Sequence, residues 1–229
     1  MAQSVLLTMT NPLPGREQEF EDWYGSQHLT ALVGVPAVKR GRLHTASEER
    51  PYKWRQCAIY DLEGEPVAAV SQIFEYGGAG KMAPAEAMDR ESTLMVIATP
   101  ITESIGQPHD PDNFLFLVLT NPTGGQEEEY NRWYNDQHIA DVLAIPGFVG
   151  MQRFRLSHHP AQPAPYWNYV AFYEIDRDKV AEAFAGLDAA RGTDRMPMSG
   201  ALKREDNEVA LYYPVSTKVQ AVSAEAGAA

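Results

Sequence analysis

The residues best suited to chemistry are two histidines in one recurring setting, Trp23-Tyr24-x-x-Gln27-His28 and Trp133-Tyr134-x-x-Gln137-His138. An imidazole packed among aromatic rings loses hydration and shifts toward its neutral form, which leaves a ring nitrogen free to accept a proton. The pattern points to general acid–base catalysis by His138, with His28 as a second candidate. Asp141 follows His138 by three residues, about one helical turn, where a carboxylate can orient an imidazole or stabilise its cation. Ala31 holds that place after His28. The same histidines also suit a structural role, since a buried ring that bonds a strand carbonyl ties a helix to a sheet.

Around them stand aromatic side chains able to grip a flat apolar ligand: Trp23, Tyr24, Trp54, Trp133, Tyr134, Tyr166 and Trp167, with Tyr60, Tyr169 and Tyr173 on neighbouring segments. Core packing competes with that role at each position. Arg153 and Arg155 flank Phe154 on a β-type run, so both point one way and could hold a carboxylate or phenolate. Metal ligation is poorly supported, because each half offers one well-placed histidine, and His158 and His159, expected adjacent on a strand, would project to opposite faces. Gly77-Gly78-Ala79-Gly80 falls in a helical stretch and not after a first strand, so it is no dinucleotide fingerprint. Cys57 lies inside a strand and reads as packing.

The elements that position these groups come in two sets. A shift of 110 residues lays Asn11–Pro36 on Asn121–Pro146 with ten identities in 26 positions, and an offset of 113 lays Trp54, Ala58 and Tyr60 on Trp167, Ala171 and Tyr173. Each half reads strand, helix, two strands, helix, strand. First strands are expected at Ser4–Thr10 and Asn113–Thr120, and long first helices at Gly15–Val33 and Gly125–Ile145, with acids in their opening turns. Tyr130, Tyr134, His138 and Val142 then form a stripe of four-residue spacing facing the sheet. Second strands follow at Val38–Thr45 and Phe148–Ser157, and third strands at Trp54–Leu62 and Tyr166–Ile175. Helical stretches at Pro66–Tyr76 with Pro84–Asp89, and at Asp178–Ala190, precede closing strands at Thr93–Thr99 and Glu208–Tyr213. The order β-α-β-β-α-β is the ferredoxin-like split βαβ unit, whose bare sheet face a second unit can cover. The expected division is therefore a first ferredoxin-like α+β repeat over 1–106, a second over 107–221, and a frayed tail over 222–229, with a Pro-rich linker across 102–112.

Composition narrows the partners. Thirty-one acids against nineteen Lys and Arg give a formal charge of −12, which disfavours nucleic acid and anionic membranes. The sequence has no basic leader and no apolar run of about 18 residues, and it carries one cysteine; together these suggest a cytoplasmic protein.

The segments Glu129-Tyr130-x-x-Trp133-Tyr134-x-x-Gln137-His138-x-x-Asp141-Val142-Leu143-x-x-Pro146-Gly147-Phe148 and Arg153-Phe154-Arg155-Leu156 resemble the dimeric α+β barrel superfamily, most closely its EthD-like branch. The resemblance spans about residues 4–215 and implies an α+β fold in which two tandem ferredoxin-like βαββαβ units pack as an intramolecular dimeric α+β barrel. Such a chain is expected as a monomer with an internal pseudo-dimer, or as a homodimer. Relatives of that kind include cofactor-free monooxygenases, cyclases, isomerases and haem-handling proteins, so the fold does not choose a reaction. The residues favour a cofactor-independent lyase, isomerase or cyclase acting on a hydrophobic, aromatic small molecule, in catabolism or secondary metabolism. Alternatives are a cofactor-free monooxygenase, a non-catalytic binder of a hydrophobic compound, a structural role for the barrel, or, with His28 or His138 as axial ligand, haem binding.

Overall fold

A computed structural model describes residues 3–106, 113–215 and 219–220. The expected tail over 222–229 and the 107–112 part of the linker lie outside the described residues.

The first half runs β1 (Val5–Pro12), α1 (Glu17–Trp23), a π-helical turn (Tyr24–His28), α2 (Leu29–Val33), β2 (Val38–Ala46), β3 (Gln56–Leu62), α3 (Pro66–Gly78) and β4 (Met88–Pro100). After the two-residue strand β5 (Ile105–Gly106), the second half repeats the series. It runs β6 (Phe114–Thr120), α4 (Glu127–Trp133), a π-helical turn (Tyr134–His138), α5 (Ile139–Leu143), β7 (Phe148–Ser157), β8 (Tyr169–Ile175), α6 (Val180–Ala190) and β9 (Glu208–Pro214), and β10 (Val219–Gln220) follows. Within each half the strands lie in the ferredoxin-like order, β2-β3-β1-β4 and β7-β8-β6-β9. The halves join at two antiparallel seams, β4 with β7 and β2 with β9. These seams close eight strands into an antiparallel barrel and leave neither half with a free sheet edge there.

Period-two alternation sorts the side chains. Cys57 and Ile59 on β3, and Val170 and Phe172 on β8, point into a barrel interior built from both halves. Ala58, Tyr60, Ala171 and Tyr173 point outward, beneath the helices. Both sheet faces are thus covered, as the apolar character of both faces of the third strands predicts. Cys57 is buried in the interior, and burial pushes its thiol well above the usual range.

The helices have legible local causes. Glu17 and Glu19 sit in the first turn of α1, and Glu127, Glu128 and Glu129 in that of α4, at the positive end of each helix dipole. Pro66 opens α3, and the Glu65 side chain accepts bonds from the Val67 and Ala68 amides at 3.0 and 2.7 Å. After α5 the chain turns at Gly147 with φ of 99°, a conformation open to glycine.

Three expectations about elements need correction. Pro84–Asp89 forms no helix; Pro84 and Ala85 lie in a loop, and β4 already starts at Met88. β1 continues past Thr10 to Pro12, because a register shift between Met9 and Asn11 lets pairing with β4 resume at Asn11–Asp89. His158 and His159 follow β7 and do not lie on it. The His159 ring accepts from the Ala161 amide through Nδ1 at 3.1 Å, which leaves Nε2 to donate to the Ser71 hydroxyl at 3.0 Å. Among the described residues no helix is long and apolar enough to cross a membrane.

Candidate active site

Each half encloses a cleft between its outward sheet face and its helices, about 420 Å³ in the first and about 470 Å³ in the second. The π-helical turns build one wall of each. In a regular helix, residues five apart lie roughly 140° around the axis from one another. Here the Leu29 and Ile139 amides bond back five residues to the Tyr24 and Tyr134 carbonyls. The widened turn brings His28 beneath Trp23, with ring centroids 4.5 Å apart and planes at 26°, and His138 beneath Trp133 at 4.6 Å and 27°. Tyr24 and Tyr134 meet the same imidazoles edge-on, each at 4.8 Å. Both histidines line their clefts with a tyrosine from the turn and another from the sheet, Tyr24 with Tyr60 and Tyr134 with Tyr173.

Electrostatics follow from this packing. Burial lowers the pKa of both His28 and His138 to about 4, and the charges of Arg153 and Arg191 add to the effect on His138. Both rings are therefore neutral at physiological pH. Nδ1 of each is buried without a hydrogen-bond partner among the described residues. The tyrosine hydroxyls are paired, Tyr24 with Tyr60 at 2.6 Å and Tyr173 donating to Tyr134 at 3.1 Å. Burial pushes Tyr24 up to about 12 and raises Tyr134 as well, so both remain protonated donors. Arg153 lies behind Tyr134, with its guanidinium 3.9 Å from the ring centroid. It is 1% exposed, and it donates to Asn135 and, at 3.0 Å, to Asn131.

His28, His138, Trp23, Tyr24 and Tyr134 are thus gathered at the clefts, and Trp133 is held against His138. Other candidates stand elsewhere. Asp141 does not orient His138. Helical side chains lean toward the N-terminus, so the His138 ring leans back onto Trp133 while Asp141 takes a bond from Gln137 at 3.3 Å. Trp54 and Trp167 pack on the barrel-interior side, with centroids 6.3 Å apart. Strand parity would put Trp54 on the helix face, but β3 begins only at Gln56 and the alternation does not reach it. Tyr166 is exposed and donates to Asp206 at 2.8 Å. Arg155 is exposed and pairs with Glu127 at 3.4 Å, whereas Arg153 is covered by Tyr134 and does not line the cleft. Sequence reasoning missed Arg191, Arg204 and Asn207, all at the second cleft. Their signal was a comparison of the loops after α3 and α6, beyond the span where the repeat is easily aligned.

Among the described residues no three His, Cys, Asp or Glu side chains are grouped to hold a metal. A ligating histidine is normally oriented by an acceptor on its second nitrogen. Neither cleft histidine has such a partner among the described residues, so these sites do not match an axial haem ligand.

No protein-family model and no curated protein matches the chain. Solved structures do. The chain is similar to an anthrone oxidase-like protein, with a TM-score of 0.62 at 11% identity, covering 99% of this chain and 96% of that one. The fold is that of the dimeric α+β barrels. A candidate monooxygenase from Lactobacillus acidophilus NCFM matches with a TM-score of 0.54 at 11% identity, over 96% of this chain and 97% of that one. A single-site variant of the chlorite dismutase of Candidatus Nitrospira defluvii matches at 0.56 and 7% identity, over 93% of each chain. At such identities the likeness concerns fold.

Proposed function

We propose that this chain is a cofactor-independent enzyme that uses the His138 cleft for acid–base chemistry on a flat, hydrophobic, phenol-like molecule, in a reaction of lyase, isomerase or cyclase type. The observation that carries the reading is the pairing, inside one apolar cleft, of a neutral imidazole with a tyrosine hydroxyl whose own proton is uncommitted. Because Tyr173 donates to Tyr134, the Tyr134 proton is free to meet a substrate oxygen. His138 would take a proton from an acidic C–H or O–H of the substrate, and the negative charge would grow on the oxygen facing Tyr134. The proton would then return at another carbon, or a leaving group would depart. An imidazole this weakly basic suits a substrate that is already acidic, and the ion pair formed with the substrate anion strengthens it as a base at that step. Trp133 and the stacked rings would exclude water and fix the orientation.

His138→Ala is expected to lower turnover of a true substrate by about 10²-fold, the usual range for a general base, while the fold survives, as read by circular dichroism. Wild-type rates in that variant would sink the assignment. His28→Ala reports in the same way on the first cleft. A second reading, cofactor-free oxygenation, draws on the likeness to an anthrone oxidase-like protein along almost the whole chain. It shares the deprotonation and differs in requiring dioxygen, so turnover under anaerobic conditions separates the two. We further read residues 1–106 and 107–221 as a tandem duplication of an EthD-like unit. The matched π turns and Tyr–Tyr pairs support that reading.

A further inference from the structure

The two clefts are built alike but lined differently. The Leu13 amide bonds the Ala87 carbonyl and the Thr123 amide bonds the Ala201 carbonyl, both at 2.7 Å, which aligns the loops after α3 and α6 at an offset of 114 residues. On that alignment Arg204 answers Arg90 and Met196 answers Met82, and all four line their clefts. Arg191, however, answers Gly77, and Asn207 answers Thr93. The second cleft thus has a guanidinium where the first has bare backbone.

Arg191 is exposed and has no carboxylate partner among the described residues. It is near enough that its charge opposes protonation of His138. Among the described residues no Asp or Glu lines the second cleft, although the chain carries a formal charge of −12. Two uncompensated guanidinium groups, Arg191 and Arg204, face an otherwise apolar space that also holds Asn207, whose Oδ1 is buried without a partner. An unpaired cation asks for an anion, and an orphaned carbonyl oxygen asks for a hydroxyl.

We infer that the second cleft selects a flat aromatic carboxylate bearing a hydroxyl group, with Arg191 gripping the carboxylate, and that the first cleft, which keeps Arg90 but has Gly77 in the place of Arg191, lacks that grip. The inference rests on the proposed reading of these clefts as the ligand sites. Its test measures binding and not turnover, so it can fail while the assignment of His138 stands, and the reverse.

The probes are 3-hydroxy-2-naphthoate and its methyl ester, titrated calorimetrically against the full chain at neutral pH. Wild type is expected to bind one equivalent of the carboxylate about tenfold or more tightly than the ester. Arg191→Gln, at an exposed position, is expected to fold normally and to lose that preference. A Cβ at Gly77 would meet the Met82 sulfur at 3.6 Å, ordinary contact, and its φ is not in the left-handed region. Gly77→Arg is therefore expected to add a second carboxylate site per chain. Equal affinity for acid and ester in wild type, a preference that survives in Arg191→Gln, or no second site in Gly77→Arg would each overturn the inference.

Discussion

His28, His44 and His138 are held neutral by burial, with pKa values of about 4, about 3 and about 4. For His44 the charge of Arg42 is a further cause. An unfolded histidine titrates near 6.5, so between about pH 6.5 and about 4 the unfolded chain binds protons that the folded chain refuses. Stability tied to these rings is whole above about pH 6.5 and is lost as pH falls through the folded values. Thermal unfolding followed from pH 7.5 downward should show the midpoint falling below about pH 6.5. His44→Met removes one of the titrating rings from a buried position and should make that fall shallower. Identical slopes in the two proteins would mean that His44 is not held neutral.

The helix-to-strand junctions decide whether the histidines reach their clefts. Gly147 joins α5 to β7 at φ of 99°, and a Cβ there would come within 2.9 Å of the Ala183 Cβ on α6. Gly147→Ala should therefore cost about 1–3 kcal/mol, the usual strain of a non-glycine residue in that region, seen as a lower midpoint in denaturant with an unchanged slope. Full stability in this variant would show that the junction relaxes freely. The strand order and the burial of both sheet faces were legible from residue type and spacing. The π turns were not. A stripe of Tyr130, Tyr134, His138 and Val142 at four-residue spacing reads as ordinary helix, and the two turns share no breaker, with Gly25 in one and Asn135 at the matching place in the other. The stacking of residues five apart is a property of the widened backbone, and one-dimensional spacing does not carry it. π turns nonetheless recur at functional sites, and their presence in both halves at the same Trp-Tyr-x-x-Gln-His motif agrees with the proposed role of the histidines. Trp54 and Asp141 were misplaced for a related reason: strand parity ends where the strand does, and helical side chains lean toward the N-terminus, so sequence proximity alone did not put Asp141 on the His138 ring.

Across the whole molecule, the two ferredoxin-like halves do not own separate cores beneath the sheet. Val5, Leu7 and Cys57 of the first share the barrel interior with Leu117, Phe154 and Phe172 of the second. Phe154 is 1% exposed and packs on Phe172 with ring centroids 4.9 Å apart, in a strand whose end forms the seam with β4. Opening one half would expose the interior face of the other and break both seams, so the halves should unfold together. Calorimetry is expected to give one transition whose measured enthalpy equals its van't Hoff enthalpy. Phe154→Ala should lower stability by about 3–5 kcal/mol, the usual cost of deleting a buried phenyl ring. It should move that single transition as a whole, including the part reported by Trp23 and Trp54 in the other half. Two separated transitions, with the first-half tryptophans unmoved by Phe154→Ala, would mean that each half is stable alone and that the shared interior contributes little. One transition would also couple the clefts energetically, because a ligand that binds the folded state in either half then stabilises both.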